Sequence, residues 1–270
     1  SSNYGEITTA AYKYGSFTDA GKTKGFICGG QDSPGSQSSE VATFNFASPA
    51  SVTDIGEILF TWVAGMSLQC QTPSLGILGG GLNYPSPSGP SLRLDTIQTF
   101  SNGSSPYTAL DTGAELAVAM YGSSCSESPT HAYQAGGYPA TSNIYRYQKG
   151  TADNSADVGE LTSSGAGDSG GATDGGGGNG FHISGVNTSG TKIDVIQKYP
   201  FTSPTTGSDV GEFSVSPGGD LGVKMVSGLT DFFATDKSDK IFKGSFTSPA
   251  STSDVGERSF TSAYANGTQY

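Results

Sequence analysis

The chain has 270 residues and a formal net charge of −11, and only 14% of its residues are charged, against about 25% in typical globular proteins. A nucleic-acid groove needs a basic stripe that displaces counterions from phosphates, and 13 Lys and Arg among 24 acids do not supply one. The same acidity disfavours anionic membrane surfaces, and no apolar run approaches the roughly 20 residues that span a bilayer. We therefore expect neither a nucleic-acid partner nor membrane insertion.

The first recurring element is an apolar run that ends in small residues, usually two glycines. Its copies end at Gly29-Gly30, Gly79-Gly80, Gly136-Gly137 and Ser184-Gly185, with an eroded fifth copy at Phe232–Thr235. β-Branched and aromatic residues bounded by glycine are typical of strands. Because glycine permits positive φ and close backbone approach, we predict that each copy is a strand ending in a tight turn.

The second element places a Phe five residues after a β-branched residue and then continues into a Ser-Pro turn. The clear copies run from Val41, Ile196 and Ile241, and the segments at Asp95–Ile97 and Asn143–Tyr145 fill the same place more loosely. This composition also predicts a strand, bounded by a Pro that cannot donate to a sheet ladder.

The third element is a Gly-Glu phrase that usually reads Asp-Val-Gly-Glu. Its glycines are Gly5, Gly56, Gly113, Gly159, Gly211 and Gly256, at intervals of 45 to 57 residues. The preceding Asp predicts a turn in which its carboxylate accepts a local backbone N–H. Calcium binding is the alternative for these carboxylates, but the Asp-rich loop that such sites use does not occur.

Together these elements predict an all-β propeller of five blades, each with about four antiparallel strands, in a single domain over residues 1–270. A period near 50 with several short strands is typical of propellers. The repeats start near Gly5, Gly56, Gly113, Gly159 and Gly211, and a closing segment starts at Gly256. Six Gly-Glu copies accompany five Gly-Gly copies, which predicts that a terminal strand from residues near Tyr4–Tyr14 or Glu257–Tyr264 closes the ring. Six blades, one of them incomplete, is the alternative.

Three cysteines are too few for a disulfide scaffold in a chain of this length. We expect Cys28, Cys70 and Cys125 to be buried thiols that pack as small hydrophobic side chains. A disulfide between Cys70 and Cys125 is the alternative.

One segment, Gly167–Gly171, matches the nucleophile segment of trypsin-like proteases. That chemistry needs a Ser, a His base and an orienting Asp, but the two histidines, His131 and His182, lie outside the sequence context that such proteases use. Neither histidine clusters with cysteines at metal-ligand spacing. We therefore expect no catalytic residues, no metal and no cofactor.

Aromatic and polar side chains near the Gly-Gly turns are the best candidates for ligand binding. An aromatic ring can stack on the apolar face of a sugar while Asn, Asp and Gln hydrogen-bond its hydroxyls. The predicted ligand-binding residues are Asp32, Asn83, Tyr84, Tyr138 and Asn187. Trp62 follows a Gly-Glu strand and is better explained by packing between blades, which is also the alternative for the two tyrosines.

The apolar strands that end in Gly-Gly resemble Kelch-type propeller repeats, although the spaced Tyr and Trp pair of Kelch repeats is missing. A closer resemblance is to repeat proteins of tailed bacteriophages, notably marine cyanophages, and it covers nearly all of the chain. Ile193–Tyr199 and Asp157–Leu161 carry it best. It implies a virion structural or tail-fibre protein that contacts host surface glycans, and it transfers no catalytic residue.

This resemblance implies a virion or extracellular location, with other virion proteins, copies of the same chain and a host glycan or receptor as partners. Two alternatives stay open, namely a secreted lectin-like propeller that belongs to no virus and a propeller enzyme that acts on polysaccharide.

Overall fold

The computed structural model describes residues 15–257 except 20, 34–35, 61–67, 84–90, 102–106, 166–168, 184–188, 190, 192, 203–204, 215–222 and 236–238. Within these ranges every regular element is a β-strand. They contain no helix long and apolar enough to cross a bilayer. The proposed closing residues Tyr4–Tyr14 and 258–264, together with Trp62, lie outside the described residues.

The first half of the chain forms two sheets and a small hairpin. Sheet 1 contains β1 (Gly15–Thr18), β2 (Lys24–Cys28), β5 (Glu40–Asn45) and β6 (Ser48–Glu57), and β3 (Gln31–Ser33) with β4 (Ser36–Gln37) forms the hairpin. Sheet 2 contains β7 (Leu68–Gln71), β8 (Leu75–Asn83), β9 (Leu92–Ser101) and β11 (Leu110–Glu115), preceded by the short β10 (Tyr107–Thr108).

The second half forms three more sheets with the same strand order. Sheet 3 contains β12 (Ser124–Glu127), β13 (His131–Ala135), β14 (Thr141–Gln148) and β15 (Ala156–Gly165). Sheet 4 contains β16 (Gly170–Thr173), β17 (Asn179–Ile183), β18 (Val195–Pro200) and β20 (Ser208–Glu212), preceded by β19 (Thr205–Thr206). Sheet 5 contains β21 (Lys224–Ser227), β22 (Asp231–Thr235), β23 (Lys240–Ser245) and β24 (Ser253–Glu257).

The five sheets stand around one axis, with the first strand of each sheet innermost. These inner strands (β1, β7, β12, β16 and β21) line a narrow axial channel of about 100 Å³. Each sheet takes its four antiparallel strands from one continuous segment. The predicted all-β propeller with five four-stranded blades is therefore confirmed. The inner strand is the fourth strand of each blade, which none of the three recurring sequence elements marks.

Hydrogen bonds from one inner strand to the next hold the axis together. The Thr18 hydroxyl donates to Gln71 Oε1 at 2.9 Å, and the Gln71 N–H donates to Glu127 Oε2 at 3.3 Å. The Glu127 N–H donates to Thr173 Oγ1 at 2.8 Å, and the Thr173 N–H donates to Ser227 Oγ at 2.9 Å. These side chains occupy the same position in each strand, so one inter-sheet contact is repeated with different residues.

Three Gly-Gly pairs have positive φ angles, as the sequence predicts, but in sheet 2 the pair is Gly80-Gly81 rather than Gly79-Gly80. Gly29, Gly80 and Gly136 have φ between 63° and 66°, and the glycine after each has φ between 109° and 111°. A side chain at these positions would be strained, because L-residues other than glycine rarely adopt such angles. In sheets 1 and 3 the pair directly follows the second strand, whereas β8 continues past its pair to Asn83 with a shift in register.

The Gly-Glu phrase forms a β-bulge in the outermost strand. The N–H of its glycine donates to the carboxylate of the Asp two residues earlier at 2.8–3.2 Å in all five described copies. In four sheets the residue between this Asp and Gly is skipped in the pairing with the third strand. The predicted local role of these aspartates is therefore confirmed.

Beyond the bulge, the Gly-Glu phrase links one sheet to the next. Gly56-Glu57 pairs in parallel with Tyr107–Thr108, and Gly159-Glu160 pairs in the same way with Thr205–Thr206. Glu212 forms a parallel bridge with Ser251. Sequence reasoning predicted equivalent strands at these phrases but missed their parallel pairing between sheets.

Apolar side chains fill the spaces between neighbouring sheets and form four clusters of buried residues. Phe17, Phe26, Leu78 and Phe100 belong to the cluster between sheets 1 and 2. The other three clusters fill the next three junctions in turn. Because each sheet packs on two neighbours, its strands are apolar on both faces, which explains why the strict alternation of a half-exposed strand is missing.

The three cysteines are free thiols. Cys28 and Cys70 are fully buried, and Cys125 Sγ lies 3.3 Å from the carbonyl oxygen of Gln69 on the neighbouring inner strand. Burial raises the pKa of the Cys125 thiol to about 12. The thiols thus act as small packing groups, and the alternative Cys70–Cys125 disulfide does not form.

Candidate ligand-binding site

The predicted ligand-binding residues belong to the connections between the second and third strands of their sheets. Asp32 lies in β3, Asn83 ends β8, and Tyr138 follows β13. Tyr84 and Asn187 lie outside the described residues. Since all second strands run the same way, these connections meet at one end of the propeller, which we call the Gly-Gly end. The turns between first and second strands lie at the opposite, hairpin end.

Tyr138 is held at the Gly-Gly end by backbone pairing. Its N–H donates to the carbonyl oxygen of Tyr121 at 2.8 Å, and the Tyr121 N–H donates to the carbonyl oxygen of Tyr138 at 3.2 Å. The two rings are tilted against each other with centroids 5.2 Å apart. The Tyr138 side chain is nevertheless 47% exposed. The Tyr138 ring is therefore supported by a second ring and is still about half exposed.

Arg93 adds a cation to this aromatic pair. Its guanidinium carbon lies 5.8 Å from the centroid of the Tyr138 ring, which is within the range of a cation–π contact. Arg93 stands on β9 opposite Leu82, and the neighbouring Leu92, which is 51% exposed, stands opposite Asn83. Because successive side chains of a strand point to opposite faces, Arg93 and Asn83 lie at the same end of sheet 2 but on opposite faces of it.

Asn83 carries an acceptor that its surroundings do not use. Its Oδ1 atom is buried and has no hydrogen-bond partner in the described part of the chain. A buried polar atom without a partner is costly and is uncommon in native proteins.

We call Arg93, Tyr121 and Tyr138 the tyrosine cluster. Sequence reasoning found Tyr138 but missed Arg93 and Tyr121, and the predicted Asn83 lies on the opposite face of sheet 2 from Arg93. Arg93 ends the segment that begins at Gly81, and the length of this segment varies between repeats. That variation could have indicated Arg93 as a binding residue. Tyr121 lies in the connection between sheets 2 and 3, where no repeat phrase marks it. Asp32 is in the separate β3–β4 hairpin.

The hairpin end carries a second concave feature on the axis. This recess has a volume of about 500 Å³, and Lys22, Pro73, Glu127, Pro129 and Lys149 contribute to its walls. The Lys149 ammonium lies 2.6 Å from Glu127 Oε2, and the Lys149 side chain is only 5% exposed. Because Glu127 also accepts the N–H of Gln71, its carboxylate already serves the contacts between sheets.

The segment that matches a protease nucleophile has a packing role. Ser169 is 2% exposed, and its hydroxyl and N–H both lie 3.2 Å from the carbonyl oxygen of Gly122. Nδ1 of His182 contacts Ser124 Oγ at 2.8 Å, and Nδ1 of His131 contacts Thr130 Oγ1 at the same distance. The two histidines are thus paired with other hydroxyls.

Within the described residues, no three His, Cys, Asp or Glu side chains lie close enough together to hold a metal ion. The recurrent aspartates stand on different sheets and hold their own Gly-Glu bulges. Their carboxylates therefore already have backbone partners.

Comparison with known proteins supports the fold alone. The chain is similar to the solved structure of YjhT, with a TM-score of 0.75 and 11% sequence identity, and the match covers 97% of this chain and 88% of that one. No protein-family model and no curated protein sequence matches the chain. At this identity the likeness shows that the chain is a propeller, and function must be argued from its own residues.

Proposed function

We propose that this propeller is a glycan-binding module without catalytic activity and that the tyrosine cluster is its binding surface. The observation that carries the proposal is the Tyr138 ring, which is 47% exposed although Tyr121 and Arg93 contact it. An isolated exposed tyrosine would need no explanation, but a ring that is both supported and open is suited to stacking.

The chemistry of the cluster matches a pyranose. The exposed part of the Tyr138 ring would pack on the C–H face of the sugar, and the guanidinium of Arg93 would donate to its hydroxyls. Because the ring is already fixed by its backbone pairing with Tyr121, binding would order few additional side chains.

We place this module in an appendage of a tailed bacteriophage, with other virion proteins or copies of itself as neighbours and a host surface glycan as ligand. The support for this setting is the resemblance of the repeats Ile193–Tyr199 and Asp157–Leu161 to cyanophage repeat proteins. A secreted lectin-like propeller would use the same binding surface, so the setting needs its own experiment.

A glycan array followed by titration of the best ligand tests the binding proposal. We expect Tyr138→Ala to weaken binding at least about tenfold, a loss of roughly 1.4 kcal/mol, and Tyr138→Phe to retain it. Leu229→Ala is the matched control, because Leu229 is 82% exposed at the hairpin end. Equal loss in Leu229→Ala and Tyr138→Ala, or no glycan bound by the wild-type chain, would contradict the proposal.

Two further measurements separate the alternatives. Immunogold electron microscopy of particles from the source organism should label a capsid or tail, and label confined to secreted material would favour the lectin. Incubation of the bound glycan with the protein should leave its chain length unchanged by mass spectrometry. Turnover that survives in Tyr138→Phe would instead favour the polysaccharide enzyme.

A further inference from the structure

The recess at the hairpin end of the axis has the size and polarity of a small-ligand site. Its volume of about 500 Å³ falls within the range of roughly 300–1,000 Å³ that is typical of ligand pockets. Its walls come from the turns that join the first and second strands of sheets 1, 2 and 3. The last residues of four inner strands form its floor: Thr18, Gln71, Glu127 and Thr173. The recess is separate from the tyrosine cluster, which lies at the other end of the propeller.

Two side chains on the floor are held in place and still have unused hydrogen-bonding atoms. Gln71 Oε1 accepts from the Thr18 hydroxyl at 2.9 Å, while its Nε2 has no protein partner in the part of the chain that the structure describes. Glu127 Oε2 accepts from the Gln71 N–H and from Lys149, and its Oε1 has no partner within the same residues. Each side chain is therefore fixed through one atom, and the other atom is available to a ligand.

The Lys149 ammonium also lines the recess and is buried beside Glu127. The Lys149 side chain is 5% exposed, and its Nζ donates to Glu127 Oε2 at 2.6 Å. An ammonium group has three N–H donors, and this is the one hydrogen bond that the described residues give it. Because a buried charge is costly unless its donors are used, the remaining donors favour an oxygen atom of a ligand in the recess.

Lys22, on the wall of the recess, stands where an equivalent turn has a glycine. Lys22 has a φ of 53°, and its N–H donates to the Asp19 carbonyl oxygen at 2.9 Å. In the matching turn of sheet 4, Gly177 has a φ of 65°, and its N–H donates to the Asp174 carbonyl oxygen at 2.8 Å. This left-handed backbone is costly for a lysine but not for a glycine. The lysine side chain therefore needs a reason of its own, and its place beside the recess supplies one.

These groups together favour a ligand that carries both a carboxylate and hydroxyls. Lys22, Lys149 and Gln71 supply N–H donors, and two lysines against one glutamate leave the lining with one positive charge in excess. A carboxylate accepts from such donors, while a hydroxyl can donate to Glu127 Oε1. We propose that the recess binds a small hydroxy acid of the sugar-acid class. Its carboxylate lies at Lys22, away from Glu127, and its hydroxyls lie on the floor.

Calorimetric titration of the full chain with glucuronate, galacturonate and glucose tests the chemistry of the ligand. Glucuronate and glucose have the same ring and differ in carrying a carboxylate or a hydroxymethyl group. We expect the better of the two sugar acids to bind at least about tenfold more tightly than glucose, a difference of about 1.4 kcal/mol. Equal affinity for glucose, or no saturable binding of either acid at about 10 mM, would overturn the proposal.

The substitution Lys22→Gly separates ligand binding from folding. Because glycine suits the backbone of this turn, the variant should melt at or above the wild-type temperature and yet bind the sugar acid at least about fivefold more weakly. Lys24→Gln is the matched control, since it removes the same charge from an exposed position beside the turn, and it should stay within about twofold of wild type. Unchanged binding in Lys22→Gly, or equal losses in both variants, would overturn the proposal.

Backbone amide chemical shifts locate the bound sugar acid on the propeller. Titration of the isotope-labelled chain should move the amide signals of Glu127 and Ser128, which line the recess. The signals of Gly136 and Gly137, at the opposite end, should stay in place. Movement confined to these two glycines would put the ligand at the Gly-Gly end and overturn the proposal, even if the calorimetric titration shows binding.

Discussion

Ser124 Oγ lies 2.8 Å from Nδ1 of His182, and this contact crosses the junction between sheets 3 and 4. The same hydroxyl donates to the Ala135 carbonyl oxygen at 3.1 Å, so its oxygen accepts from a protonated Nδ1. Nε2 of His182 is buried and has no hydrogen-bond partner in the parts of the chain that the structure describes. Burial disfavours the imidazolium and lowers the pKa of His182 to about 4.

This depressed pKa predicts a loss of stability in acid. An unfolded His binds its proton near pH 6.5, whereas the folded protein resists protonation until about pH 4, so between these values the unfolded state holds more protons. The free energy of unfolding should fall by roughly 3 kcal/mol from this residue as the pH drops through that window. In urea unfolding, the stability of wild type relative to His182→Leu should fall by this amount as the pH is lowered through the same window.

Leucine is a suitable replacement because Leu78 occupies the equivalent, fully buried position in sheet 2. Carboxylates titrate in both proteins, so only the difference between the two curves reports on His182. Parallel curves for wild-type and His182→Leu would show that the histidine does not titrate in this way.

The Asp of the Gly-Glu phrase should contribute measurably to stability. Asp209 Oδ1 accepts the N–H of Gly211 at 3.1 Å within the bulge of β20. Removing the acceptor in Asp209→Ala should lower the free energy of unfolding by about 1 kcal/mol. Asp209→Asn keeps an acceptor oxygen and should unfold at nearly the wild-type urea concentration. If both variants are equally destabilised, the carboxylate charge rather than the hydrogen bond is responsible.

The protease-like segment should be sensitive to substitution because of packing. A Cβ on Gly171 would lie 2.3 Å from the carbonyl oxygen of Cys125 on the neighbouring inner strand, whereas one on Gly176 meets no atom within 4 Å. Gly171→Ala should therefore lower the free energy of unfolding by about 2 kcal/mol. Gly176→Ala, the matched control, should stay within about 0.5 kcal/mol of wild type. Thermal unfolding of both variants checks the difference.

Two buried glutamines, each directly after the β-branched residue of a third strand, should contribute unequally to the free energy of unfolding. Gln197 accepts the Thr162 N–H at 2.7 Å and donates to Ser163 Oγ at 2.9 Å, while Gln98 accepts the Leu59 N–H at 3.0 Å. Replacement by Leu leaves these backbone donors without their acceptor, at a cost of about 2 kcal/mol. Urea unfolding should show a larger loss for Gln197→Leu than for Gln98→Leu, and the reverse order would contradict this reading.

The repeat phrases predicted the strands because each phrase combines a packing requirement with a backbone requirement. The glycines at 29, 80 and 136 have the positive φ angles that only glycine adopts easily, and Asp54 shows the predicted local hydrogen bond. The inner strand was harder to predict, since it is short, its composition differs from sheet to sheet and the hydrogen-bond partners of its last residue lie on other sheets. Gln71 and Thr173 illustrate this, because nothing in their own repeats indicates an inter-sheet contact.

The candidate site was only partly predictable from the sequence. Asn83 and Tyr138 follow Gly-Gly strands, so their places in the repeat indicated a shared end of the propeller. Tyr121 joins Tyr138 through a backbone bridge between segments 17 residues apart, and Arg93 joins through its cation–π contact with the Tyr138 ring. Such contacts depend on register and on the path of a connection, which the phrases do not specify.

The parallel pairings between the Gly-Glu phrases and the neighbouring sheets bear on how the loops of this propeller could be changed. They are made by main-chain atoms, and the bulge that precedes them requires little more than an Asp and a Gly. The scaffold therefore constrains few side-chain identities outside its interior. Segments that follow the Gly-Gly turns can be exchanged without altering the links between sheets, so grafting of these loops is a direct route to propellers with new ligands.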